Sequence, residues 1–349
     1  MTDESSERDT AQDVAVSILI VNWNSASETA SCVKSVRSRG PADQIEFIVV
    51  DNASSTSLGP IEQVLGPADE LIVSPVNLGF GAACNLAATI ARGQKLLLLN
   101  PDARVDAGAV IRMADALDAD PTVGCVGIRH VFEDGSLQWS TDDAPSVGRE
   151  IFFLTPLADW KPARLLIGSP RRWSDHTEDL DVDWVNGACM MITRNAWDDV
   201  HGFDERFFLF AEELDFCRRI RASNRRVRFL SDPTVVHRLG GSFSHGNARE
   251  LRLALLNQGM LRYFHKHHSW PTYIVFDIGL RFVALAGITW SGAAAFCERW
   301  RGQKLPSEVW ARLCQGEPGI SGRACIRAWW RVLTVRRDAV LRPSSESAG

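Results

Sequence analysis

Val16–Val21 (VSILIV) decides how the first part of this sequence folds, because it is almost continuously apolar. A second such run follows at Ile45–Val50 (IEFIVV), and residues 27–38 between the two carry apolar side chains at helical spacing. Continuous apolar runs are typical of strands that are buried on both faces of a parallel sheet. The pattern predicts an α/β fold, a mostly parallel Rossmann-like sheet with helices on both faces.

The alternation continues to about residue 119, where the pattern predicts strands and helices at Leu71–Ser74, 78–92, Leu96–Leu99 and 107–119. Residues 130–182 are instead rich in proline, glycine, tryptophan and charge, which predicts long loops. Periodic patterns return downstream and predict further strands and helices at 182–193, 213–223, 227–230, 234–237 and 250–265.

The composition is that of a globular protein of two or three domains, with 349 residues and 45% hydrophobic content. A net charge of −5 argues against a nucleic-acid-binding protein. The eight cysteines form no CxxC pair, which predicts neither a zinc site nor a disulfide scaffold and suits the reducing cytoplasm. Residues 1–13 are polar and acidic without an apolar signal core, so we expect a disordered tail.

The C-terminal region differs in character. Residues 282–297 carry no charge, but this stretch of 16 is shorter than the roughly 20 residues that span a bilayer. Downstream, Arg323, Arg327 and Arg331 lie four residues apart beside Trp329 and Trp330. A basic helix with tryptophans suits an anionic membrane surface. The alternative is an ordinary helical subdomain that uses the same tryptophans as core.

Polar clusters follow three predicted strands, at Asn22–Asn24, Asp51–Asn52 and Asn100–Asp102. In open parallel sheets, ligands bind beyond the carboxyl ends of the strands. Asp51 is therefore either a contact for a nucleobase or ribose or a turn cap. Asp102 is a ligand for Mg²⁺ or Mn²⁺ or a capping residue, and His237 is a further ligand or a structural histidine.

Two more segments carry candidate chemistry. Phe207–Arg219 (FFLFAEELDFCRR) places Glu212 and Glu213 after an apolar run at the start of a predicted helix. These acids either perform acid–base chemistry or simply decorate the first helical turn. Asn77–Gly81 opens the alanine-rich helix with small residues that let a ligand approach backbone amides. The dinucleotide fingerprint, the phosphate-binding loop and the GxSxG elbow are absent from the sequence.

In this order, seven segments resemble the inverting, family-2-type glycosyltransferases, in particular their bacterial rhamnosyltransferase-like members. They are SILIVNWNS (17–25), FIVVDNASS (47–55), NLGFGAACN (77–85), LLLLNPDA (96–103), WVNGACMMITRNAW (184–197), GFDERFFLFAEELDFCRR (202–219) and VVHRLGGS (235–242). The resemblance implies a GT-A fold over residues 14–265, with a nucleotide-binding half at 14–125, an acceptor half at 126–265 and a helical, membrane-surface-associated region at 266–349.

The resemblance also implies roles for individual residues. Glu213 matches the catalytic base, with Glu212 as its neighbour. Asp102 matches the surviving acid of a metal-binding motif for Mg²⁺ or Mn²⁺, with His237 as a further contact. The other implied contacts are Asn22, Asp51, Asn77 and Gly79 to the nucleotide-sugar donor, and Trp184, Gly187 and Ala188 to the acceptor. The chain departs from the family where Glu212-Glu213 replaces the usual Glu-Asp and where Asn100-Pro101-Asp102 carries one acid instead of two.

The function expected from the resemblance is transfer of a sugar, rhamnose by similarity, from a dTDP- or UDP-sugar to a polyprenyl-linked glycan in cell-envelope polysaccharide synthesis. The enzyme would work at the cytoplasmic face of the membrane. Two other functions are compatible with the residues alone. One is a sugar-phosphate nucleotidyltransferase, and the other is a non-catalytic module that binds nucleotide sugars.

Overall fold

The computed structural model describes residues 14–38, 44–155, 176–238, 248–301, 304 and 322–338. The expected disordered tail at 1–13 and part of the expected loop region, 156–175, lie outside the described residues.

Within the described residues the strands are β1 Val16–Asn22, β2 Ile45–Asn52, β3 Glu70–Ser74, β4 Lys95–Leu99, β5 Ala103–Arg104, β6 Val123–Val131, β7 Leu137–Gln138, β8 Thr141–Asp142, β9 Leu180–Val182, β10 Trp184–Val185, β11 Cys189–Thr193 and β12 Arg226–His237. The helices are α1 Ala26–Arg37, α2 Gly59–Glu62, α3 Phe80–Ile90, α4 Ala107–Asp118, α5 Val147–Phe153, α6 Arg194–Asp199, α7 Glu212–Ala222, α8 Ala248–His267, α9 Trp270–Arg301 and α10 Gly322–Thr334.

The central sheet has the strand order β3-β2-β1-β4-β11-β6-β12-β5. The strands of its first half, β3-β2-β1-β4, are all parallel. β11 then inserts antiparallel between β4 and β6, and β12 runs parallel to β6. The expected α/β sheet with helices and a helical C-terminal region is therefore confirmed, and its antiparallel pairings lie in the second half, at β11 and at the short strands β5, β7 and β9.

Apolar runs explain why the sheet forms here. The side chains of Ile18 and Val49 on one face of the sheet and of Leu19 and Ile48 on the other are buried, as expected of strands covered on both faces. Two apolar clusters, one on each side of the sheet, hold the helices against it. Such burial contributes about 1.5–3 kcal/mol for each large apolar side chain.

Arg194, at the start of α6, links the second half of the chain to the first. Its guanidinium donates to the carbonyls of Ala88, Ala91 and Gly93, where α3 ends. These carbonyls would otherwise lack partners at the helix terminus. The contact fixes α3, and with it the loop that precedes this helix, to the strand inserted at the centre of the sheet.

The C-terminal helices differ from expectation in two details. Residues 270–301 form a single helix, α9, which by length and composition could cross a membrane. Trp329 of α10 is buried against α9, as in the alternative of tryptophans used as core, whereas Trp330 is exposed. Cysteine chemistry also differs in one place, because Cys325 is disulfide-bonded.

Candidate active site

A cleft of about 560 Å³ opens at the carboxyl ends of β1, β2 and β4. Its walls come from both halves of the sheet and from α8. Nine of the residues singled out in the sequence line it together: Asn77, Gly79, Asp102, Trp184, Gly187, Ala188, Glu212, Glu213 and His237. Residues far apart along the chain thus meet in one crevice.

Asn22 and Asp51 do not line this cleft, and both side chains are buried where β1 and β2 end. Asn22 donates to Asp51 at 2.7 Å, and the other oxygen of the Asp51 carboxylate accepts from the backbone amide of Ser54 at 3.0 Å. Asp51 therefore caps the turn after β2, which was the alternative open for it in the sequence. Asn52, the next residue, reaches the cleft instead.

Asn52 holds the loop that precedes α3. Its side-chain oxygen accepts from the amide of Leu78 at 2.7 Å, and its nitrogen donates to the carbonyl of Gly79 at 3.1 Å. Gly79 has φ +87°, a conformation that favours glycine. The loop is consequently fixed with its backbone at the wall of the cleft and the amino end of α3 directly behind it.

Asp102 and His237 meet across the cleft floor, with Asp102 Oδ1 3.3 Å from His237 Nε2. Gln138 orients the histidine, because its amide nitrogen lies 3.3 Å from the His237 carbonyl and its oxygen 2.8 Å from Nδ1. Since Gln138 Oε1 can only accept, Nδ1 donates that hydrogen bond and Nε2 faces the Asp102 carboxylate. With Nε2 unprotonated, the two groups are acceptors that fit a shared cation.

Carboxylate and imidazole donors suit Mn²⁺ and are compatible with Mg²⁺, so these residues fit the divalent ion implied by the family resemblance. Among the described residues no group of three or more His, Cys, Asp or Glu side chains could hold a metal. An ion at Asp102 and His237 would thus keep most of its coordination positions for water or for phosphate oxygens of a ligand.

The acid pair Glu212–Glu213 begins α7 after a turn with unusual backbone geometry. Phe210 and Ala211 have φ values of 68° and 67°, in the left-handed region that costs energy for residues other than glycine. This turn points the first two carboxylates of the helix into the cleft.

Two glycines from distant parts of the chain hold this turn. A Cβ atom at Gly79 would lie 2.3 Å from the carbonyl oxygen of Phe208, and one at Gly259 of α8 would lie 2.3 Å from that of Phe210. The amide of Phe80 also donates to the Phe208 carbonyl at 2.9 Å. We call this arrangement the glycine clamp: the backbone of residues 208–211 packs directly between the backbones at Gly79 and Gly259.

The two glutamates are in different surroundings. Glu212 is buried, and within the described part of the chain its Oε2 has no hydrogen-bond partner. Burial and the neighbouring Glu213 charge raise its pKa well above the usual value, which keeps it protonated. Glu213 is half-buried opposite Gly187, and burial raises its pKa to about 7. At neutral pH Glu213 can therefore both accept and release a proton.

Asp215, the third acid of this segment, is structural. Its carboxylate is buried and contacts His267 Nε2 at 2.7 Å, Lys266 Nζ at 2.6 Å and Arg219 Nε at 2.8 Å. Burial alone would raise the pKa of Asp215, but the hydrogen bond from His267 and these charges hold it below its usual value. The contacts tie α7 to the end of α8, next to the glycine clamp.

Another part of the cleft wall is aromatic and polar. Trp139 and Trp184 pack edge to face with ring centroids 4.9 Å apart. Arg149 of α5 donates to the carbonyls of Asp143 and Ala144, and its guanidinium lies 3.9 Å from the buried Asp142 carboxylate. A flat ring beside hydrogen-bonding groups is suited to a sugar, which has both apolar and hydroxyl faces.

Several lining residues could not be singled out from the sequence, namely Trp139, Asp142, Arg149, Arg252, Leu256 and Met260. The first three lie in the region expected to be loop, where β7, β8 and α5 form. The last three follow a helical period of four along α8, a signal that also fits an ordinary core-facing helix.

Comparison with known proteins identifies relatives of this chain. Residues 17–176 match the model of glycosyl transferase family 2. The N-acetylglucosaminyl-diphospho-decaprenol L-rhamnosyltransferase of Mycobacterium tuberculosis is 24% identical over 220 residues, which are 59% of this chain and 71% of that protein. The low-salt glycan biosynthesis hexosyltransferase Agl10 of Haloferax volcanii is 26% identical over 227 residues, 64% of this chain and 66% of that protein.

Solved structures agree in fold. A mannosyltransferase from Pyrobaculum calidifontis, PcManGT, in complex with GDP-Man and Mn²⁺ has a TM-score of 0.52 at 16% identity, covering 93% of this chain and 91% of its own. GalNAc-T7 with UDP, GalNAc and Mn²⁺ also has a TM-score of 0.52, at 17% identity, covering 72% of this chain and 48% of its own.

The sheet and the matches together define a glycosyltransferase with the GT-A fold. Residues 17–176 match glycosyltransferase family 2, and the chain resembles members of the rhamnosyltransferase type. Of the functions left open by the residues, sugar transfer is the one that these matches favour.

We expect the Glu213→Gln substitution to stabilise the protein at alkaline pH. The folded-state pKa of about 7 lies above the ordinary 4.5, so the folded state holds more protons between these values and loses stability as pH rises through this window. Glutamine cannot ionise and removes that cost, about 1–3 kcal/mol above pH 7. Thermal unfolding at pH 8 should show the gain, with little at pH 5. Equal effects at both pH values would contradict the raised pKa, and exposed Glu62→Gln is the control.

We expect Gly259→Ala to lower kcat by about tenfold or more, because the new methyl group displaces the turn that carries Glu213, and misplacements near 1 Å can cost about 10²-fold. Gly292→Ala in α9 is the matched control, since a Cβ there meets nothing within 4 Å. Activity would be compared with thermal unfolding. A variant that is less stable but turns over normally per folded molecule would show that the clamp supports the fold alone.

Proposed function

We propose that this protein is an inverting glycosyltransferase that moves a sugar from a nucleoside-diphosphate donor to a hydroxyl group of a lipid-linked glycan. The observation that carries the proposal is the shared cleft, which the Asp102–His237 pair and Glu213 line together. One part suits a diphosphate and its counter-ion, and the other suits a hydroxyl that must lose a proton.

The donor would lie along the first half of the sheet. The loop at Asn77–Gly79 and the amino end of α3 behind it offer backbone amides, and Asn52 keeps the loop in place. Asp51 and Asn22 would support the base-binding turn. By similarity to the rhamnosyltransferase relatives, we propose rhamnose as the sugar and dTDP or UDP as the nucleotide.

A Mg²⁺ or Mn²⁺ ion held by Asp102 and His237 would neutralise charge on the departing diphosphate as a Lewis acid. The solved structures with Mn²⁺ are consistent with such an ion. Gln138 contributes by fixing the histidine ring with Nε2 toward Asp102.

Glu213 is the proposed base. As the acceptor oxygen bonds to the anomeric carbon, the bond from that carbon to the diphosphate oxygen breaks, and its electron pair leaves with the nucleoside diphosphate. The hydroxyl proton passes to the Glu213 carboxylate, and attack opposite the leaving group inverts the anomeric centre. Glu212 stays protonated beside it, because two close carboxylates do not both ionise readily.

The acceptor would bind at Trp184, Gly187 and Ala188. A Cβ atom built on Gly187 would lie 3.6 Å from the Glu213 Cβ atom. Because Gly187 has no side chain, this space beside Glu213 is left for a hydroxyl group. Decaprenol in the name of the mycobacterial relative supports a polyprenyl-linked acceptor, as do the apolar residues Leu256 and Met260 in the cleft wall. Such an acceptor places the enzyme at the cytoplasmic face of the membrane, in synthesis of cell-envelope polysaccharide.

Replacing Glu213 by glutamine should lower kcat by ~10²–10⁴-fold with little change in donor KM, because only proton removal is lost. The assay follows sugar transfer from dTDP-rhamnose to a polyprenyl-diphosphate acceptor, and NMR of the product reports its anomeric configuration. Glu62→Gln serves as the control. Turnover of Glu213→Gln within a few-fold of the native enzyme, or a retained anomer, would refute this base or this mechanism.

The ion site can be tested by binding without turnover. Adding dTDP or UDP should raise the unfolding temperature more in the presence of Mn²⁺ than with chelator, because a ligand at a hundred times its Kd adds ~2.7 kcal/mol of stability. Asp102→Asn should abolish the Mn²⁺-dependent part of the shift. If that variant keeps the full Mn²⁺ effect, Asp102 does not hold the ion.

A further inference from the structure

The outer face of α9 carries a continuous apolar stripe. Phe282 and Trp300, for example, are 70% and 78% exposed. The exposed apolar residues on this face recur at helical spacing and are Val275, Ile278, Phe282, Leu285, Phe296 and Trp300. At 100° per residue they fall within about 100° of arc, and Thr289, Gly292 and Ala293 fill the interval on the same face. No charge interrupts the chain from residue 282 to 297.

The inner face of α9 is packed against the rest of the protein. Phe276 stacks on Phe264 of α8 with ring centroids 4.2 Å apart, and a Cβ at Gly287 would lie 2.4 Å from the Trp329 ring of α10. The polar pair Asp277–Arg281 lies at the edge of this packing, with the arginine also bound to the Val332 and Leu333 carbonyls.

These contacts oppose a membrane-spanning orientation. Crossing the bilayer would separate α9 from α8 and α10 or draw their polar groups into hydrocarbon, at high cost. The helix of 32 residues is also about 48 Å long, beyond the ~30 Å hydrocarbon core. A helix that is apolar on one face and packed on the other is suited to lie along a surface.

We infer that α9 docks flat on an anionic membrane through this stripe, an inference that rests on the proposed lipid-linked acceptor. Charge supports a lipid partner, because exposed Arg299 lies at the end of the stripe beside Trp300. Tryptophan is a residue type that is enriched at the headgroup level of membranes.

Docking in this orientation places the bilayer beside the cleft. α5 flanks the stripe, since a Cβ at Gly279 of α9 would lie 2.9 Å from Ile151. The same short helix contributes Arg149 and Glu150 to the cleft wall. An acceptor could thus keep its polyprenyl chain in the membrane while its sugar enters the cleft.

Flotation with vesicles tests the surface. The full chain should float with vesicles of phosphatidylglycerol and phosphatidylcholine, and the Phe282→Ser/Phe296→Ser variant should bind about tenfold less, because two large apolar contacts are lost. Val73→Ser/Ile111→Ser removes two exposed apolar residues elsewhere and should float like the native chain. Equal flotation of both double variants would overturn the proposal. So would a native chain that does not float and instead forms a dimer, if only the Phe282→Ser/Phe296→Ser variant disrupts that dimer.

Orientation is measured with nitroxide labels in a Cys297→Ser background. Labels at Ile278→Cys and Phe296→Cys are 18 residues, about 27 Å, apart along the helix. Equal depths in power-saturation measurements support the flat orientation, and depths differing by most of that distance overturn it. Flotation and label depth are measured without turnover, so they do not depend on the acceptor. If the enzyme glycosylates a soluble acceptor instead, the proposed lipid-linked acceptor is refuted while the flotation and depth results stay the same.

Discussion

The geometry of the site depends on the close approach of three backbone segments at residues 79, 208–211 and 259. Only glycine at the two outer positions lets the carbonyls of Phe208 and Phe210 come so near. This close approach stabilises the left-handed conformation of Phe210 and Ala211, which is unfavourable by itself. That turn directs the side chains of Glu212 and Glu213 into the cleft. The loop at Asn77–Gly79, the acid pair and α8 are therefore held together by backbone contacts, although they are distant in sequence.

Charge is divided within the cleft in a way that suits two chemistries. Asp102 faces an imidazole nitrogen across 3.3 Å, an arrangement that favours a cation. Burial instead raises the proton affinity of Glu213, and with it the pKa of this carboxyl group. The carboxyl groups of Asp102 and Glu213 thus suit different roles, because their burial and their partners differ.

The sequence predicted the parts of the fold that local pattern controls. The strands at Val16–Asn22 and Lys95–Leu99 and the helix at Ala107–Asp118 agree with their apolar runs to within a residue or two. Nine of the eleven site residues also meet in the cleft, whereas Asn22 and Asp51 lie outside its lining and bond to each other, so their donor contacts stay predictions. The role of Gly259 could not be predicted, since a glycine within a helix shows its purpose only when the carbonyl packed against it is known.

The insertion of β11 between β4 and β6 has a consequence for how specificity can diverge in such enzymes. β11, from the second half of the chain, runs through the middle of a sheet whose first four strands come from the first half, and Arg194 fastens it to α3. The two halves of the chain therefore do not form separate lobes that could hinge apart or be exchanged as modules between relatives. New sugar preferences must instead arise by piecemeal change in the segments that rim the crevice, while the shared platform stays constant.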